Sequence, residues 1–177
     1  VAARRGSNGM TVDDQVGRFE QSVIAFAASA AALDEHVFLT KVTGWTPRDM
    51  VAHLTGWNRL MVRGARQVLR GELPFYDVEP GPNFSKVNAA IISEYNDTDC
   101  SVLLGKLSET AGELTAFLRA IDPGDWDRDF GVRHKGEGLS VEFAAGEVVT
   151  VKDSVDDLIA DYDYHRGQLE ELRGRAA

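Results

Sequence analysis

The sequence predicts an all-α fold, an antiparallel four-helix bundle with a short extra helix and a small β-hairpin before the last helix. Four long segments carry apolar residues at steps of three and four, which is the period of a helix with one buried face. The chain shows no internal repeat and no low-complexity tract. Four amphipathic helices can bury their apolar faces against one another, so a bundle is the expected architecture.

The first two long helices are indicated by periodicity and by a cap. Apolar residues recur at helical spacing over 11–37. Thr46, Pro47 and Asp49 then supply an N-cap, a proline at the first helical position and an acid at the third, a combination typical of a helix start. We expect this second helix to continue to about Arg70.

The second half of the chain contains the remaining predicted elements. Three prolines and two glycines within 71–84 predict a loop, followed by a short helix over 85–95. The third long helix is expected over 99–121. Glycines between short apolar alternations over 130–149 predict the hairpin, and the last helix is expected over 150–173.

Chain length and cysteine content limit the classes of protein to which the chain can belong. A chain of 177 residues suits one domain, expected over 10–177 after a disordered leader or residues added for expression at 1–9. No run approaches the roughly 20 apolar residues that span a membrane. The single cysteine, Cys100, excludes a disulfide within the chain and favours a cytoplasmic location.

Charge bears on the partners that the chain can bind. The formal net charge is −9, and the 19 lysines and arginines are dispersed along the sequence. Because an acidic protein repels phosphate groups, we expect neither a nucleic acid nor a membrane as a partner. A small-molecule substrate is expected instead, and homodimer formation is left open.

The candidate chemical residues lie on the second and last helices. Asp161 and His165 are four residues apart, so they share one helix face and could bind one ligand. The same spacing also suits an ordinary surface ion pair. His53 lies in an apolar stripe of the second helix, where histidines are commonly plain core residues. His134 lies among basic residues and is expected in an exposed loop.

If the second and last helices face each other, His53, Asp161 and His165 could converge. Two imidazoles and one carboxylate suit a divalent metal such as zinc, nickel, iron or manganese, with coordination positions left for water or substrate. Without a metal, a histidine oriented by Asp161 could act as a general base. Trp57, Tyr76, Phe84 and Tyr162 are candidate substrate-binding residues, with Tyr76 and Phe84 on a loop that could close over the site.

Three segments carry a resemblance to a known family. GWTPRDMVAHLTGW at 44–57, GPNFSKVN at 81–88 and DYDYHRGQ at 161–168 make the chain similar to the DinB-like superfamily of four-helix bundles, and within it to the ClbS/DfsB family. The resemblance implies a metal site built from one histidine on the second helix and two histidines, four apart, on the last. Those positions are His53, Asp161 and His165, so Asp161 stands where the family often has histidine.

The resemblance also implies a class of activity. Some DinB-like proteins transfer thiols to or from small molecules, and the ClbS/DfsB branch opens a strained cyclopropane electrophile by hydrolysis. Our leading hypothesis is therefore a detoxification or self-resistance enzyme that hydrolyses an electrophilic compound in the bundle. The alternatives are a metal-dependent transferase that uses a low-molecular-weight thiol, and a binding protein that sequesters a small molecule without chemistry.

Overall fold

Four long helices and two short ones form the frame of the fold in the part of the chain that the structure describes. The structure is a computed structural model that describes residues 11–42, 44–77, 84–135 and 145–176. The predicted leader at 1–9 lies outside these residues. The helices are α1 (Val12–Ala31), α2 (Glu35–Phe38), α3 (Pro47–Val68), α4 (Ser85–Ser93), α5 (Cys100–Arg119) and α6 (Val151–Ala176).

Capping residues define the helix starts as the sequence predicts. The Thr46 side chain accepts a hydrogen bond from the backbone N–H of Asp49, whose carboxylate accepts one from the Thr46 N–H in return. The hydroxyl of Thr150 accepts from the backbone N–H of Asp153 in the same way at the start of α6. These bonds satisfy donors that a helix start leaves unpaired, so α3 and α6 begin at fixed residues.

The first predicted helix is shorter than its apolar pattern suggests. α1 ends at Ala31, and the extended backbone of Asp34 separates it from α2. Phe38 in α2 is nevertheless buried. The apolar spacing therefore continues past a break in the helix, which explains why periodicity alone placed the end at residue 37.

The long helices form two parallel pairs. Within the first pair, Gln15 of α1 donates to the Lys152 carbonyl of α6 at 2.9 Å, and Ser22 further along α1 donates to Asp163 further along α6 at 3.1 Å. The contacts therefore advance in the same direction along both helices. The expected antiparallel relation holds between the pairs and not within them.

The second parallel pair is α3 with α5. Asn58 donates to Thr110 at 3.2 Å, and the Arg66 guanidinium lies 5.3 Å from the Phe117 ring, again advancing in one direction along both helices. Parallel neighbours cannot be joined by a tight turn, because the chain must return to the end where it started. The connection from α3 to α5 is accordingly long and contains α4.

Two glycines let this connection lie directly on α3. A Cβ atom at Gly56 would overlap the Ile91 side chain of α4, and one at Gly64 would lie 2.5 Å from the Tyr76 ring. Any larger residue at either position would force the connection away from α3. The close approach places Tyr76 and α4 beside the helix that carries His53.

The predicted hairpin is reduced to one antiparallel bridge among the described residues. Arg133 pairs with Val148, and the Val149 N–H donates to the Val132 carbonyl at 3.1 Å. Residues 136–144, between these two arms, lie outside the described residues. Among the helices of the described ranges, none has the length and apolar composition needed to cross a membrane.

Candidate metal centre

The structure brings His53, Asp161 and His165 together between α3 and α6. Each offers one ligand atom, and the three atoms lie within 4.8 Å of one another. The convergence is a consequence of the fold, since α3 and α6 run antiparallel and in contact. These residues are called the two-histidine cluster below.

Asp161 bridges the two imidazoles. Its Oδ2 lies 2.8 Å from Nε2 of His53, and its Oδ1 lies 3.4 Å from Nε2 of His165. The histidine side chains are 5% and 7% exposed, whereas the Asp161 side chain is 34% exposed. The cluster is therefore open to solvent at its carboxylate and closed around its rings.

Asp161 carries its negative charge at neutral pH. Burial alone would raise the pKa of its carboxyl, but the neighbouring imidazoles of His165 and His53 outweigh burial and hold that pKa well below its usual range. A charged carboxylate between two imidazoles is a strong ligand set for a divalent cation.

Gln168 fixes the orientation of His165. The amide oxygen of Gln168 lies 2.8 Å from Nδ1 of His165 and can only accept a hydrogen bond, so Nδ1 is the donor. In the neutral ring, Nε2 then presents a lone pair to Asp161 Oδ1. A proton on Nε2 donates to this carboxylate oxygen, and a cation in the same place would bind both atoms.

Trp45 covers the two histidines and was missed by the sequence analysis. Its ring centroid lies 4.9 Å from that of His53 and 5.6 Å from that of His165, to which it is nearly parallel at 19°. Its sequence signals were its position immediately before the Thr46 cap of α3 and its place in the 44–57 segment that carries the family resemblance. A helix-start signal says nothing about a packed ring, so Trp45 could not be assigned a place in the site.

Three of the predicted substrate-binding residues form one surface, the aromatic wall. The ring of Trp57 lies 5.1 Å from Tyr76, 5.6 Å from Phe84 and 6.2 Å from His53. The Trp57 indole N–H donates to the Asn88 side chain at 2.8 Å, which fixes the ring. The wall therefore borders the two-histidine cluster through the contact between the Trp57 and His53 rings.

The wall contains one strained residue. Phe84 has a φ of 40° in the left-handed region, which is unfavourable for a side chain other than glycine. Its ring nevertheless packs on Trp57 and on Tyr76. Burial first, and then the charges of Asp77 and Asp157, raise the pKa of the Tyr76 hydroxyl, which stays protonated.

Tyr162 lies apart from the wall, in the core. It is fully buried, its ring lies 5.7 Å from both Phe19 and Phe26, and its hydroxyl exchanges hydrogen bonds with Asn58. One residue further along α6 than Asp161, its ring packs on α1 and its hydroxyl reaches α3. The structure thus does not bring Tyr162 together with the other predicted substrate-binding residues.

His134 is mostly buried, contrary to the prediction of an exposed loop. Its Nδ1 lies 2.7 Å from Oδ2 of Asp77, and the two side chains are 12% and 3% exposed. The pair joins the segment after α3 to the segment before α6. The local sequence, rich in glycine and basic residues, gave no indication of a distant carboxylate.

Comparison with known proteins identifies the fold and a family. Residues 19–149 match the family described as mycothiol maleylpyruvate isomerase N-terminal domain. This range includes His53 and ends before Asp161 and His165. No curated protein matches the chain.

Three solved structures share the fold. The colibactin self-resistance protein ClbS, in complex with dsDNA, has a TM-score of 0.70 and 14% identity over 94% of this chain and 98% of its own. YfiT from Bacillus subtilis is described as "a probable metal-dependent hydrolase with an unusual four-helix bundle topology". It has a TM-score of 0.64 and 16% identity over 99% of this chain and 93% of its own. The mycothiol-dependent maleylpyruvate isomerase has a TM-score of 0.66 and 15% identity over 89% of this chain and 60% of its own.

The prediction that nucleic acids are excluded as partners is wrong. A protein of this fold has been crystallised with dsDNA, so the fold does not preclude such a partner. The prediction also assumed that basic residues are dispersed. Four exposed arginines in fact follow one another at steps of three and four along α3 and the turn just after it, and are called the arginine stripe: Arg59, Arg63, Arg66 and Arg70.

Proposed function

Because the chain belongs to the mycothiol maleylpyruvate isomerase N-terminal domain family, within the DinB-like superfamily that its motifs resemble, we propose that it is a metal-dependent enzyme acting on small molecules. In the leading form of the proposal it hydrolyses an electrophilic compound and so detoxifies it. The observation that carries the proposal is the convergence of three ligand atoms within 4.8 Å.

The two-histidine cluster fits a divalent cation. Two imidazole nitrogens and one carboxylate are the donors that zinc, nickel, iron and manganese accept, and three protein ligands leave coordination positions open. Nε2 of His165 and Oδ1 of Asp161 face each other 3.4 Å apart, so both atoms can bind one cation. A bound cation would supply Lewis acidity, which makes a nucleophile available at neutral pH.

Other features of the site suit substrate access and substrate binding. The exposed edge of Asp161 marks the side from which substrate reaches the cluster. Trp57, Tyr76 and Phe84 offer an apolar surface that can hold an organic electrophile next to His53. In hydrolysis, a water oxygen bonds to the electrophilic carbon, the strained bond of that carbon breaks, and the released proton passes to the departing atom.

A thiol is the alternative nucleophile, and the family match favours considering it. Cys100 does not fit this role, because burial and then the charge of Glu35 raise the pKa of its thiol and disfavour the thiolate. Cys100 also begins α5, and α5 carries none of the three ligands. A thiol reaction would therefore use an external low-molecular-weight thiol.

The test is product analysis with a strained epoxide or cyclopropane in ¹⁸O-labelled water, with and without added thiol. Labelled alcohol supports hydrolysis, a thioether formed only with thiol supports transfer, and unaltered compound released after denaturation supports sequestration. Alanine variants of His53, Asp161 and His165 should each lose product. Lys106→Ala, an exposed change on α5, is the matched control. Unchanged turnover in all three variants would refute the proposal.

A second candidate function is contact with double-stranded DNA through the arginine stripe. Arg63 lies 3.7 Å from the Phe75 ring centroid and Arg66 lies 5.3 Å from that of Phe117. Neither forms an ion pair within the described residues, whereas Arg59 pairs with Glu94. From Arg59 to Arg66 the stripe extends for roughly 10 Å along the helix, enough to meet more than one phosphate.

This candidate is tested by fluorescence anisotropy with a labelled duplex at several salt concentrations. If phosphates are bound, Arg63→Glu and Arg66→Glu weaken binding and reduce the slope of log affinity against log salt by about one for each lost contact. Arg119→Glu, at the end of α5, is the control outside the stripe. Absence of binding at low salt, or equal binding by all variants, would exclude the stripe as a DNA-binding surface.

A further inference from the structure

The backbone holds Trp45 in place over the two-histidine cluster. The Val42 N–H donates to the Trp45 carbonyl at 2.6 Å, and the Trp45 N–H donates to the Val42 carbonyl at 3.1 Å. Gly44, with a φ of 101°, makes the tight turn between them. The Thr46 cap follows directly, so Trp45 is fixed between a closed turn and a helix start.

The two histidines depend on Trp45 to different degrees. His165 is held at Nδ1 by Gln168, and its ring also stacks on Trp45. His53 has no hydrogen-bond partner at its buried Nδ1 among the described residues. The bond to Asp161 and the surrounding rings, Trp45 closest at 4.9 Å, restrain the rotation of the His53 imidazole.

We propose that Trp45 is the positioning residue of the cluster: its indole holds the His53 and His165 rings so that both Nε2 atoms point at Asp161. A ligand imidazole must direct its nitrogen along one line, and groups that orient such rings commonly change metal affinity by 10- to 100-fold. Trp45 stacks on the His165 ring and packs at a tilt against the His53 ring, and the Asp161 side chain stays 34% exposed. The effect of Trp45 on metal affinity rests on the proposed function, whereas its positioning of the two rings does not.

The first readout uses the metal-free protein and needs no activity. Long-range ¹H–¹⁵N spectra report which imidazole nitrogen carries the proton, and nitrogen shifts are affected little by loss of a neighbouring ring. In Trp45→Ala, His53 should change its tautomer ratio or show two states, while His36 and His134 serve as unaffected references. Trp45→Phe should restore the wild-type pattern because a phenyl ring can still stack. Unchanged nitrogen signals of His53 in Trp45→Ala would overturn the role.

The second readout is cobalt(II) affinity with its visible absorption spectrum. We expect at least a tenfold loss in Trp45→Ala, a smaller loss in Trp45→Phe, and none in Trp126→Phe, a tryptophan that packs near Gln15 instead. Thermal unfolding checks that each variant folds, and Trp45→Leu replaces the alanine variant if needed. Equal cobalt affinity of wild type and the folded Trp45→Ala would contradict the proposal. If the wild type binds neither cobalt nor zinc, nickel, manganese or iron(II), the proposed metal function fails, and the nitrogen spectra still decide the role of Trp45.

Discussion

Nε2 of His53 lies 2.8 Å from Oδ2 of Asp161, although the two residues are 108 positions apart in the chain. The contact joins α3 to α6 and completes the two-histidine cluster. It also makes Asp161 both a structural link and the most exposed ligand of the candidate site. Perturbing this link, or the residues that orient it, leads to the following predictions.

Asp161→Asn should alter how stability depends on pH. The folded-state pKa of Asp161 lies below the ordinary value of 3.8, so its charge stabilises the fold above that pH. The stabilisation is lost as pH falls through the lower folded-state pKa. We expect the difference in unfolding free energy between wild type and variant to be constant near neutrality and to shrink below about pH 4. Urea titrations across this range measure it, with Glu170→Gln as an exposed control on α6. A difference independent of pH would contradict the prediction.

Gln168→Leu should weaken cation binding by about tenfold or more, because the acceptor that fixes His165 Nδ1 is lost. Gln168→Glu keeps an acceptor oxygen and should retain affinity. Isothermal titration with zinc compares the two variants. The Gln168 amide also donates a hydrogen bond to the Tyr164 hydroxyl at 3.3 Å, and Tyr164→Phe is the control for loss of that contact. Equal affinities for the leucine and glutamate variants would mean that Gln168 does not orient the ligand.

Gly56→Ala should destabilise the protein by about 1 to 3 kcal/mol, because the added methyl group overlaps Ile91 of α4. Gly112→Ala is the matched control, since a Cβ there meets no atom within 4 Å. That helical substitution should instead stabilise by up to about 1 kcal/mol. Chemical denaturation of both variants gives the comparison. The same sign of change in both would show that α4 does not rest on α3 as described.

His134→Ala should destabilise the protein by about 1 to 3 kcal/mol, because it removes a hydrogen bond from a carboxylate that is only 2% exposed. The other oxygen of Asp77 already has no hydrogen-bond partner among the described residues. Lys135→Ala, at an exposed neighbouring position, should change the unfolding free energy by less than about 0.5 kcal/mol. Equal stability of the two variants would show that the buried pair contributes nothing.

Local sequence signals predicted the helices and the three ligand candidates, because caps and apolar spacing act over a few residues. The direction of paired helices could not be predicted, because no local pattern in α3 indicates that α5 runs parallel to it. Tyr162 illustrates the same limit, since its neighbour Asp161 faces α3 while Tyr162 itself packs on Phe19 of α1. Which neighbouring helix a residue faces depends on how its own helix is rotated about its axis in the bundle, and the sequence does not give that rotation.

Contacts made by loop residues were not predictable at all. Trp45 and the Asp77–His134 pair arise from chain segments that carry turn residues and no periodic pattern. The cytoplasmic location and the single-domain boundary at residue 10 stay predictions, as do the catalytic and substrate-binding roles of the site residues.

Metal content of the purified, tag-free chain is the most direct test of the two-histidine cluster as a metal centre. Elemental mass spectrometry should find about one divalent metal per chain, either as purified or after titration with zinc, nickel, manganese or iron(II). His53→Ala, Asp161→Ala and His165→Ala should each lose it while remaining folded by circular dichroism. No metal in the wild type under any of these conditions, or full occupancy in the three variants, would contradict the assignment.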